Sequence, residues 1–117
     1  MLSQFSENIL RSLNSDFEAI LRDAIFVAER EGLVVQITRG LELGNFYHAS
    51  GAAVDVLIND GMNYYDYLCF SEIVKLVGMD HEYVITWGGD WKLTPDIRHF
   101  QLERRVSQYF YGTEDID

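Results

Sequence analysis

Apolar positions along the chain change their period several times, and each change marks an element. Phe5, Ile9, Leu10 and Leu13 recur at helical spacing and predict a short amphipathic helix within residues 1–14. Ser15-Asp16-Phe17-Glu18 reads as a capping box, where a side-chain oxygen satisfies amides that the first helical turn leaves unpaired. Behind it, Phe17, Ile20, Leu21, Ala24, Ile25 and Ala28 form one stripe, a second helix that Gly32 ends. Residues 33–38 are rich in β-branched side chains and predict a first strand; Gly40, Gly44 and Asn45 make residues 39–47 a short connection. Residues 52–58 are small or aliphatic around a single Asp, a buried second strand closed by the turn signal Asn59-Asp60-Gly61. Residues 66–77 predict a helix with Phe70, Ile73, Val74 and Val77 inward and Gly78 as its stop. A strand over 83–86 leads into Trp87-Gly88-Gly89-Asp90-Trp91, Pro95 breaks the chain, and residues 98–102 form a last strand. A short helix over 106–111 and an acidic tail follow. This order predicts an α+β fold: one small domain over 1–117, an antiparallel sheet with two or three helices packed on it.

Composition narrows the function. A chain of 117 residues, 48% hydrophobic with one proline, has room for one modest core and no linker. No apolar run reaches the length of a membrane span, and residues 1–14 lack the basic start and unbroken apolar stretch of a signal peptide. Cys69 is alone, so no internal disulfide can form; it is expected in the core, with synthesis in a reducing cytoplasm. Nineteen acidic against nine basic residues give a net charge of −10, which argues against nucleic-acid binding. The same charge opposes simple attraction to an anionic wall or membrane, so recognition must rest on shape and specific contacts.

The chemistry concentrates in two stretches. His48-Ala49-Ser50-Gly51-Ala52-Ala53-Val54-Asp55 reads H-x-x-G-x-A-x-D and runs into the second strand. A carboxylate in an apolar strand is costly unless a partner or a metal takes up its charge. Gly51 would let the chain bend and bring His48 beside Asp55, and imidazole with carboxylate suits zinc. The plainer reading is a core Asp capped by backbone amides near a surface His. Downstream, Asp96-Ile97-Arg98-His99-Phe100-Gln101-Leu102 offers His99 as a third ligand and Asp96 as a carboxylate able to act on a water in an open fourth position. Trp87 and Trp91 would wall a groove or plug the core, the first packed and the second near the site, with Asp90 ordering their loop. His81, in a predicted loop, is expected to face solvent.

H-x-x-G-x-A-x-D followed by W-G-G-D-W and D-x-x-H-F-Q-L resembles the zinc peptidases of the D-alanyl-D-alanine carboxypeptidase and dipeptidase superfamily. The W-G-G-D-W element is most similar to the L-alanyl-D-glutamate endopeptidases of bacteriophage endolysins and bacterial wall hydrolases. The resemblance covers roughly residues 20–102. It implies a zinc site on the sheet face held by His48, Asp55 and His99, with Asp96 as catalytic carboxylate and Trp91, Trp87 and Asp90 towards the substrate. An oxyanion-stabilising Arg follows the first strand within a G-x-R-[ST] element in the family. Arg39, in Gln36-Ile37-Thr38-Arg39-Gly40, matches it loosely, and Arg98 is the other candidate, while either could be a surface charge.

Two departures bear on specificity. Phe46 stands where the family has Ser, and the segment between the first strand and His48 is shorter than usual. The resemblance implies a zinc peptidase acting on the peptidoglycan stem peptide between L-alanine and D-glutamate; a monomer, made in a host cytoplasm without a signal peptide, is expected. A D-alanyl-D-alanine carboxypeptidase or dipeptidase, and a non-catalytic zinc-stabilised binding module, are the alternatives.

Overall fold

The computed structural model describes residues 2–41 and 52–106. The elements are α1 (Gln4–Arg11), α2 (Ser15–Arg30), β1 (Val35–Leu41), β2 (Ala53–Ile58), α3 (Tyr64–Asp80), β3 (Tyr83–Trp87) and β4 (His99–Arg105). The four strands form one antiparallel sheet in the order β1-β2-β4-β3. The α+β expectation holds. The helix expected over 106–111 lies, apart from Val106, outside the described residues, as do Gly44, Asn45, His48 and Gly51. No described helix is long and apolar enough to cross a membrane.

Alternation along β2 separates the two faces of the sheet. Val54, Val56 and Ile58 are fully buried and join Phe17, Ile20, Leu21, Phe70, Val74 and Phe100 in the core under the helices. Asp55 points the other way, with Ala53 and Leu57, so one face holds the fold together and the other is left for chemistry.

Helix boundaries follow capping chemistry, with some shifts from expectation. The cap of α2 is Asn14, not Ser15; its side chain accepts from Asp16 N and Phe17 N at 2.9 and 3.0 Å. Gly32, at φ +93°, ends α2 as expected, with Leu33 N bonded to Ala28 O and Gly32 N to Glu29 O. Gly78 does not stop α3, which runs on to Asp80. A Cβ at Gly78 would stand 2.6 Å from Ile85 Cγ1, so this glycine lets α3 lie close on β3. Cys69 is exposed, since Tyr67, Phe70, Ser71 and Val74 take the inward face of α3. His81 is half-buried, with Nε2 2.9 Å from Asp23 Oδ2, because the end of α3 packs beside α2.

Two devices prepare the open face. Between Ile37 and Arg39 the β1–β2 register slips, leaving Thr38 as a bulge. The slip keeps Ile37 opposite core-facing Val56 and places Arg39 opposite Asp55, on the open face. Arg98 straps this bulge: Nε donates to Val56 O at 3.0 Å and Nη2 to Thr38 Oγ1 at 2.6 Å. The second device is the Trp-Gly-Gly-Asp-Trp turn. Gly88 O accepts the amides of Asp96 and Trp91 at 2.9 and 3.2 Å, and Trp87 Nε1 donates to Ile97 O at 2.7 Å. These bonds tie the loop before β4 to the end of β3.

On the far side of the fold, Tyr83 of β3 donates to Asp16 Oδ2 at 2.6 Å and accepts from Arg105 Nη1 at 3.1 Å. Burial, then its bond to Asp16, pushes the phenol's pKa above its ordinary value. A raised folded-state pKa means stability is fully present below pH ~10 and falls as pH rises from there through the folded value. Tyr83→Phe should flatten that alkaline limb, measured by urea denaturation at a series of pH values.

Two of the tight glycines, Gly78 and Gly88, should behave differently when replaced by alanine. At Gly78 a helix-propensity gain of about 1 kcal/mol offsets an overpacking cost of about 1–3 kcal/mol, and the obstacle is a side chain that can move. At Gly88 the new Cβ would meet Asp96 O and His99 Cβ with no compensating gain. Gly88→Ala should therefore cost about 3 kcal/mol in urea denaturation, and Gly78→Ala at most about 1–2 kcal/mol.

Candidate active site

The antiparallel register of β2 with β4 sets Asp55 directly opposite His99. Cross-strand partners share a face, so both side chains project from the open side of the sheet. His99 Nδ1 lies 3.6 Å from Asp55 Oδ1, with both side chains largely buried. That separation is too long for a hydrogen bond. Asp55 Oδ1 is inaccessible to solvent and finds no hydrogen-bond donor among the described residues. A buried anionic oxygen without a donor is expensive, and a cation is the ordinary remedy.

Asp96 arrives from the loop before β4. Its backbone is held by Gly88, and its Oδ1 accepts Arg98 N–H at 3.1 Å. One ligand atom each from Asp55, Asp96 and His99 lie within 4.8 Å of one another. Two carboxylates and an imidazole at that spacing fit the oxygen and nitrogen donors that zinc takes. Their burial differs: Asp55 and His99 sit in the floor, whereas Asp96 is exposed at the rim. His48, expected as a further ligand, lies outside the described residues.

Around this centre, Trp91 lies against the His99 ring with centroids 5.0 Å apart and keeps 38% of its surface exposed. Trp87 is 1% exposed, stacked near Phe100 and Tyr64, and cannot reach a substrate. Its place is the core, from which it anchors the loop carrying Asp96. Asp90 meets Lys75 Nζ at 2.6 Å, which pins the same loop to α3. Arg39 is exposed on the Asp55 side of the sheet, while the guanidinium of Arg98 is engaged with Val56 and Thr38.

Gln101 was absent from the sequence expectations. It is 8% exposed, two residues beyond His99 on the same face, with Oε1 2.6 Å from His99 Nε2. Period-two alternation from His99 along β4 was the available signal for it.

Comparison with known proteins agrees with this geometry. A family model described as D-alanyl-D-alanine carboxypeptidase matches residues 45–102, the stretch holding both motifs. No match was found among curated proteins. Among solved structures the chain is similar to the L-Ala D-Glu endopeptidase ChiX of Serratia marcescens, with TM-score 0.74 and 22% identity over 93% of each chain. The fold is therefore shared across nearly the whole length of both proteins. With its two motifs inside the family match and its carboxylates and imidazole gathered on one sheet face, the chain is related over residues 45–102 to the D-alanyl-D-alanine carboxypeptidase family of peptidases.

Proposed function

We propose that the protein is a zinc-dependent peptidase of the peptidoglycan stem peptide, cutting between L-alanine and D-glutamate in the bacterial cell wall. The observation that carries this reading is buried Asp55 Oδ1, without a donor among the described residues, facing His99 Nδ1, with Asp96 at the rim. Asp55 and His99 would hold the metal from the sheet, and His48 would complete the set. Bound zinc supplies Lewis acidity, lowering the pKa of water at its open position to about 7 and polarising a peptide carbonyl.

The chain's own residues then divide the work. Asp96, fixed by Arg98 N–H and Gly88 O, takes the proton from the attacking water and returns it to the leaving amine. Its exposure suits this role better than that of a structural ligand, because the base must meet water and substrate. Arg39, turned to the open face by the Thr38 bulge, would meet the oxyanion. Trp91 lends an apolar wall beside His99, and the stem peptide would lie along it. With a net charge of −10, the enzyme recognises this substrate by shape and hydrogen bonding, not by attraction to wall anions.

The L-Ala–D-Glu bond is favoured by the structural likeness to ChiX; the family description favours a D-Ala–D-Ala carboxypeptidase as the second reading. Defined stem peptides separate them, since the first exposes a new N-terminal D-glutamate and the second releases D-alanine. Asp96→Ala should keep zinc and lower kcat by about 10²–10⁴-fold, the usual size of a general acid–base contribution. His99→Ala and Asp55→Ala should lose the metal, read by zinc content. A zinc-loaded wild type that cuts neither bond would overturn the peptidase assignment for this chain.

Zinc should also raise stability. At a hundredfold excess over its Kd, a ligand that binds only the folded state adds about 2.7 kcal/mol. A chelator should reverse the gain in Tm for the wild type and leave His99→Ala unmoved.

A further inference from the structure

On the open face of β4, a run of hydrogen bonds leads away from the candidate metal centre. His99 Nε2 lies 2.6 Å from Gln101 Oε1, and Gln101 Nε2 donates to Glu103 Oε1 at 3.3 Å. Thr86 of β3 donates its hydroxyl to the same Glu103 oxygen at 2.7 Å. The β3–β4 register slips between Val84 and Ile85, leaving Glu103 as the extra residue on β4. That bulge turns its carboxylate towards Thr86 and Gln101.

Donor and acceptor chemistry gives this run a direction. An ionised carboxylate only accepts hydrogen bonds, so Glu103 must face the NH₂ end of the Gln101 amide. The amide oxygen is then left facing His99, and an oxygen that only accepts requires a proton on the imidazole nitrogen opposite it. The proton therefore sits on Nε2, and in the neutral ring the Nδ1 lone pair faces Asp55 Oδ1, 3.6 Å away. His99 and Gln101 are only 7% and 8% exposed, so little water competes for these bonds.

We infer that Gln101 is a positioning residue: anchored by Glu103 and Thr86, it holds His99 as the Nε2–H tautomer and presents Nδ1 as the ligand atom. The physical reason is general, because the bond made by one imidazole nitrogen decides which nitrogen is free to bind a metal. The role of Nδ1 rests on the zinc reading proposed above, whereas the tautomer does not require metal.

The test begins with the metal-free protein. Long-range ¹H–¹⁵N spectra of the His99 ring should show a protonated Nε2 and a bare Nδ1 in the wild type. Gln101→Leu, close in size but without the amide, should mix the tautomers and weaken zinc binding in titration calorimetry by about 10–100-fold. Gln101→Glu, which keeps an acceptor for Nε2–H, should restore the wild-type ring spectrum. Thr86→Val removes only the remote anchor and should give a partial shift if Gln101→Leu fails to fold. An unchanged His99 tautomer in both Gln101→Leu and Thr86→Val would overturn the proposal, as would a wild-type ring protonated at Nδ1. If the wild type binds no zinc but the tautomer still follows Gln101, the metal reading fails and the positioning of the ring stands.

Discussion

The site depends on one antiparallel pairing, Asp55 of β2 opposite His99 of β4. The structure nearby keeps a buried carboxylate oxygen and an imidazole nitrogen 3.6 Å apart, and that oxygen finds no donor among the described residues. Such an arrangement is unfavourable on its own, so the surrounding structure must impose it. The imposition is rigid: fully buried Val54 and Phe100, beside Asp55 and His99 in sequence, bind both strands into the core from the opposite face. A change of one residue in that register would exchange the faces and bury the site's side chains under the helices.

The second constraint is the short distance between the end of β3 and the loop before β4. Trp87 is a core residue whose indole N–H holds the loop, and Gly88 is a passage through which the loop's backbone runs. Trp-Gly-Gly-Asp-Trp is thus a mould for Asp96, with Trp87 in the core and Trp91 left exposed. Likewise Arg98, adjacent to His99 in sequence, works on the other side of β2 by clamping Thr38.

Much of this was legible in the chain. Hydrophobic period gave the helices and strands, since burial of one face enforces it, and Asp55 was visible as a charge in an apolar strand. What escaped depended on tertiary proximity. Gly78 looked like a helix stop because glycine often is one, but its lack of a side chain serves contact with Ile85. Cys69 looked buried by residue type, yet its phase on α3 turns it outward. The cap of α2 fell one residue early because Asn14 competes successfully with Ser15 for the first free amides. Neither bulge announced itself, and both decide which residues reach the open face. Gln101 was hidden for a similar reason: alternation from His99 puts it on the same face, but its bond to the ring needs the folded strand.

The outer edge of the sheet has one more consequence. Ser6 of α1 is fully buried with its Oγ 2.9 Å from Ile37 N and 3.2 Å from Ile37 O, on the strand that ends the sheet. A side chain there occupies the main-chain groups that an incoming strand would need. An extended peptide therefore cannot lengthen the sheet at Ile37, and neither can a second copy of the chain.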